Sequence, residues 1–197
     1  MGSIFPSLQR TILAGIALLV LVLILSGALT GQFIQPDKAW FTFVMRWLHV
    51  LSGVMWIGLL WYLNFVQVPN MPNIPEAQRP AITKVIAPAV LFYFRYAALA
   101  TVITGLLLAI MNGYLLPALM LKAGYHAIGI GMWLALIMAF NVWFVIWPNQ
   151  QKVLGLVDAT AEEKAAAGRI ALYASRFNTM ASITMLYCMV AQQNGGL

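Results

Sequence analysis

A chain of 197 residues that is 62% hydrophobic and only 8% charged, with a mean hydropathy of +0.87, falls outside the ordinary soluble class. Its apolar residues run continuously instead of alternating, which excludes a transmembrane β-barrel as well. The net charge of +6 comes from cations that flank apolar stretches, so it reads as membrane topology and not as nucleic-acid binding.

Five apolar stretches each supply the roughly 20 residues that a spanning helix needs: 11–33, 41–66, 86–112, 124–147 and 171–192. They predict an all-α integral membrane bundle of five transmembrane helices, a single domain over 1–197 embedded in a lipid bilayer, here a bacterial inner (cytoplasmic) membrane. Arg10, Arg79, Lys84, Lys152, Lys164 and Arg169 fall before the first helix or in the second and fourth loops, against Lys38 and Lys122 in the first and third. The positive-inside rule then puts the N-terminus in the cytoplasm and the C-terminus outside.

The first stretch follows Arg10 and passes Ser26-Gly27-Ala28, but it is longer than a signal-peptide core. It is read as a retained helix without ionisable groups, an anchor or a partner-facing helix, and residues 40–192 as a four-helix unit. Trp40 and Trp47 mark the outer interface, and Trp143 and Trp147 the inner one. The second loop, 69–75, is proline-rich and predicted extended, and the fourth opens at Pro148. Thr160-Ala161-Glu162-Glu163 carries the capping-box spacing that starts a helix.

The second helix places Arg46, His49 and Gly53 at i, i+3 and i+7, on one face. A histidine with a glycine one turn inward offers an imidazole ligand and space for a flat macrocycle. An arginine one turn outward offers a charge-assisted bond to a propionate. His126, with Gly129 and Gly131 close by, is the second candidate ligand. The expectation is haem b with its iron held by His49 and His126, and Arg46 and Gly53 completing the site. Structural histidines that bond carbonyls are the plainer alternative.

A second polar group gathers toward the cytoplasmic side. Arg95 lies well inside the third helix, and no acidic residue stands within any of the five stretches. An arginine at such a position needs carbonyls, amides, water or a bound anion. Arg95, Asn141, Asn149, Gln150, Arg176 and Asn178 are therefore the candidate substrate-binding residues, with an anionic or planar polar molecule, such as a quinone, as the ligand. No Ser-His-Asp set, paired carboxylates or phosphate loop is present, so no catalytic residue emerges. The lone Cys188 excludes a disulfide within the chain and the C-x-x-C-H attachment of a c-type haem.

Two stretches resemble a known family. Arg46-Trp47-Leu48-His49-Val50-Leu51-Ser52-Gly53-Val54-Met55-Trp56-Ile57-Gly58 and Asn141-Val142-Trp143-Phe144-Val145-Ile146-Trp147-Pro148-Asn149-Gln150-Gln151-Lys152 are similar to motifs of the membrane-bound urate oxidase N-terminal family. Weaker echoes are Arg95-Tyr96-Ala97-Ala98 through Gly105, and Ser175-Arg176-Phe177-Asn178. The resemblance implies a multi-helix membrane domain that family members join to a C-terminal c-type cytochrome and that is associated with urate oxidation. This chain, with one cysteine, is expected to lack the cytochrome c module, and Phe177 stands where the family pattern has a histidine. Two functions follow as expectations: a redox protein that passes electrons from haem b to a separate partner, or a cofactor-free accessory subunit of a larger membrane-protein complex.

Overall fold

The computed structural model describes residues 4–196 and is helical, with no strand among them. Two compact units divide it, Met1–Phe41 and Thr42–Leu197. The first holds α1, Leu8–Thr30, which opens on the Ser7 hydroxyl accepting from the Arg10 N–H and closes on Gly31 in the left-handed region. Only Gly27 is buried in α1, where a Cβ would meet the Phe33 ring, so the helix presents apolar side chains all round.

The second unit is a helical bundle. Its long elements are α2, Lys38–Asn73, whose first residues fall in the first unit, then α3, Glu76–Met111, and α5, His126–Leu154. The short α4, Leu115–Leu119, and the long α6, Ala161–Asn194, complete it. Asp37 Oδ1 accepts the Trp40 N–H at the start of α2. The expected capping box forms at α6, Thr160 and Glu163 each bonding the other's backbone N–H.

Four helices, α1, α2, α3 and α5, are long and apolar enough to cross a membrane, so the protein is an integral membrane protein with four such helices and not the five expected. The difference lies in 171–192. That segment belongs to α6, which buries Asn178, Thr179 and Ser182 among its neighbours and carries Arg169 and Arg176. Its buried polar residues lie on one face, where Asn178 bonds α5 and Ser182 accepts from Trp61, while the opposite face, with Met180, Ile183 and Val190, is apolar and exposed.

Proline shapes the inner ends. The loop expected to be extended over 69–75 is mostly helical: α2 continues to Asn73, and the chain extends only at Ile74 and Pro75. The segment opening at Pro148 likewise remains helix to Leu154 and ends on Gly155, again in the left-handed region. In each case a wide π turn precedes the proline: Tyr62–Gln67 before Pro69, Ile82–Ile86 before Pro88, Asn141–Ile146 before Pro148. A proline ring strikes the carbonyl four residues back and offers no N–H. Widening that turn by one residue moves the carbonyl aside and lets the helix run on.

The bundle is knit by an apolar core and by uncharged polar bonds. Trp56, Leu60, Phe94, Ala98, Met138 and Val142 are wholly or almost wholly buried together. The Trp61 indole N–H donates to Ser182 Oγ at 3.0 Å, and Asn64 Nδ2 to Ser175 Oγ at 2.7 Å. Asn141 Nδ2 donates to Asn178 Oδ1, and Asn178 Nδ2 to the Met138 carbonyl, both at 2.9 Å. At the other end Gln192 bonds the Gly124 carbonyl and the Ile128 N–H, so α6 runs antiparallel along α5. Replacing Asn178 by Ala, at a site with 0% exposure, strands Asn141 Nδ2 and leaves the Met138 carbonyl only its backbone partner, the Asn141 N–H. The expected cost is about 1–3 kcal/mol, read as a lower thermal midpoint in detergent, and an unchanged midpoint would refute this role.

Candidate functional site

The site is built outward from His49. It lies about 17 Å along α2 from Lys38, at 1.5 Å per residue, and is half-buried against α3. Its Nδ1 stands 2.9 Å from the Thr101 carbonyl oxygen and 3.2 Å from Thr104 Oγ1. A carbonyl can only accept, so Nδ1 carries the proton and Nε2 of the neutral ring keeps its lone pair. Nε2 makes no hydrogen bond among the described residues. Gly105 permits this approach, for a Cβ there would come within 2.8 Å of His49 Cε1.

His49 lines a cavity of about 630 Å³ between α2, α3, α5 and α6, a volume in the range of small-molecule and cofactor sites. Arg46 and Gly53 line it too, so three of the four residues expected to hold a cofactor converge on one space. The walls are mostly apolar, with Ile57, Ile128, Met132 and Met185 among them. Tyr114, Gln193 and Asn194 add polar groups. Burial pushes the Tyr114 hydroxyl above the ordinary tyrosine range, the Arg46 charge drawing it partly back, so it stays protonated at neutral pH. Trp56, wholly buried, contributes an indole N–H with no acceptor among the described residues. Val54 and Val190, 67% and 61% exposed, are also in the lining, which leaves the cavity open sideways between α2 and α6.

His126 does not join them. It is the first residue of α5, exposed, and absent from the cavity wall. The histidine pairing expected from the sequence required α5 to begin earlier, which would have carried His126 deeper; Tyr125 precedes the helix instead. Among the described residues no group of three or more His, Cys, Asp or Glu could hold a metal ion.

The six residues expected to bind substrate are dispersed, and none lines the large cavity. Asn141 and Asn178 bond each other. Asn149 donates to the Val145 carbonyl of its own helix. Gln150 is half-buried and Arg176 exposed. Arg95 donates Nε–H to the Leu91 carbonyl and lays its guanidinium over Trp147, Cζ 3.2 Å from the ring centroid, with Trp143 at 5.7 Å. The arginine thus meets aromatic faces in place of a carboxylate.

Sequence reasoning missed Thr101, Thr104 and Gly105. The signal was there, since the three stand at i, i+3 and i+4 and so share the α3 face that meets His49. Tyr114, Gln193 and Asn194 carried no such pattern. Gly105→Ala is expected to push the His49 ring off the Thr101 carbonyl. Nitrogen NMR of the labelled imidazole checks this: the Nδ1-protonated signature of the parent protein should be lost, and its persistence would show that the contact gives way elsewhere.

Residues 118–195, which hold α5 and α6, match the urate oxidase N-terminal family. The match agrees with the resemblance carried by the Asn141–Lys152 motif, and it leaves the Arg46–Gly58 motif outside its bounds. No curated protein and no solved structure matches the chain.

Proposed function

Taking that match as the starting point, we propose that the chain is a redox membrane protein of the urate oxidase N-terminal kind. In this reading it binds haem b through His49 and passes electrons to a separate partner. The observation that carries the reading is the His49 imidazole itself. Its Nδ1–H is committed to the Thr101 carbonyl and its Nε2 is uncommitted, on the wall of a large apolar cavity. Metal-ligating histidines are commonly held by such a bond, which fixes tautomer and ring orientation.

The residues present would supply the iron with one protein ligand. His49 would hold the iron, Arg46 would meet a propionate with charge-assisted bonds, and Gly53 and Gly105 keep the wall beside the ring free of side chains. His126, outside the cavity, supplies no second ligand. Bound there, haem would supply one-electron redox chemistry. The chain's own part is to orient the imidazole through Thr101, to neutralise carboxylate charge through Arg46 and to exclude water with its apolar walls. The loop cations favour a cytoplasmic N-terminus, and α6, returning antiparallel along α5 after the four apolar helices, would carry the C-terminus back to the outer side of what we take to be a bacterial inner membrane.

Two observations favour other readings. The sideways opening at Val54 and Val190 suits a membrane-dissolved quinone as occupant of the same cavity. The all-round apolar surface of α1 suits an accessory subunit that packs against a larger complex. A dithionite-reduced minus oxidised spectrum of protein taken from native membranes separates them. The haem reading expects a b-type band kept in His126→Ala and lost in His49→Ala. A protein without the band, with quinone extracted from it in stoichiometric amount, would replace that reading by the second; neither cofactor would leave the accessory subunit.

A further inference from the structure

Arg95 and its surroundings form a site separate from the His49 cavity, made of a cation, aromatic rings and tyrosine hydroxyls. The guanidinium lies over Trp147 and spends one N–H on the Leu91 carbonyl. Its terminal N–H groups have no acceptor among the described residues, and the one carboxylate within the four apolar helices, Glu76, stands at the first residue of α3, nineteen positions before Arg95. Trp143, in edge contact with Tyr96, adds a buried indole N–H that also lacks an acceptor. A fixed cation with unpartnered N–H groups, whose neighbouring acceptors are only phenol oxygens, suits an anion from outside the chain.

The setting says which anion. Phe92, Tyr93, Tyr96 and Phe144 are between 47% and 68% exposed around the cluster, so the surface there is aromatic and turned outward. Tyrosine and tryptophan in such a belt sit at headgroup level in a bilayer. Arg176 lies at the same level, because Asn178, two residues on, bonds Asn141 and Met138 across the antiparallel α5–α6 pair while Trp143 follows Asn141 on α5. It is exposed and makes no ion pair among the described residues. Two cations at headgroup depth, beside rings that can flank acyl chains, complement a lipid phosphate far better than a soluble carboxylate.

We infer that the aromatic-lined patch around Arg95, between α3 and α5, binds the phosphate of an anionic phospholipid headgroup. The stacked guanidinium offers two parallel N–H groups to two phosphate oxygens, which a lysine ammonium cannot reproduce. The acyl chains then lie against Phe92 and Phe144. The site is independent of whatever occupies the cavity at His49.

Native mass spectrometry of the full chain, exchanged into detergent with phosphatidylglycerol or with diacylglycerol, tests the site. One phosphatidylglycerol should be retained by the parent protein and by His49→Ala. Arg95→Gln should lower that retention about tenfold, the loss expected for one charge-assisted contact, and Arg95→Lys should fall between. Helix content by circular dichroism should be unchanged in both variants, and Arg95→Lys keeps the charge should Arg95→Gln fold poorly. Equal retention in the parent and both variants, or diacylglycerol held as well as phosphatidylglycerol, would overturn the assignment. Binding of inorganic phosphate to lipid-free protein, lost in Arg95→Gln, would also overturn it in favour of a soluble anion.

Discussion

Inside a bilayer every polar group must find its partner within the protein or at the lipid headgroups, because the hydrocarbon offers none. Here that constraint acts without carboxylates, since the five acidic residues stand in loops and helix starts. What remains to satisfy amides, hydroxyls, indoles and cations is uncharged: carbonyls, other amides and aromatic faces. The Asn141–Asn178–Met138 chain, the Trp61–Ser182 and Asn64–Ser175 bonds and the Arg95 stack on Trp147 are four solutions to that one problem. The first three converge on α6, which accordingly carries a polar face of the bundle. The bundle therefore depends on α6 for specificity as much as for packing.

The same constraint explains the cavity. At the level of His49 the contact between α2 and α3 is made by an imidazole against a glycine, and the space beside them stays open. His49 is held firmly by Thr101 and yet leaves one nitrogen uncommitted. A histidine serving packing alone needs no such volume beside it. The open wall and the fixed ring together favour an occupant.

Much of this was legible in the sequence, and the failures have physical causes. The long apolar helices, the shared face of Arg46, His49 and Gly53, and the Thr160 cap follow from period and composition, and each forms. The fifth span misled because apolar content over 171–192 masks the Ser, Thr and Asn of its buried face. His126 misled because a helix start is fixed by turn geometry, here Gly124 in the left-handed region ahead of Tyr125, which hydropathy does not register. The dispersed polar residues misled for a third reason: amides near one depth bond the nearest carbonyl, and nothing in a linear pattern tells a bonded pair from a lining pair. Thr101 and Gly105 escaped notice since their importance lies in what faces them on another helix.

The prolines at 69, 88 and 148 carry a consequence of their own. Each π turn before them holds one residue more than an α-helix would fit in the same length, so the helix beyond it is turned by about 100° relative to an uninterrupted one. The two halves of α2, α3 and α5 therefore obey separate angular registers. A helical wheel drawn across the junction misassigns every face on one side of it. An alignment that deletes one residue from such a turn and replaces the proline would describe a straight helix, rotated so that Asn64 or Asn141 no longer meets α6. Length changes of a single residue at these points are thus topological events for the bundle, of the kind loops absorb freely and membrane helices do not.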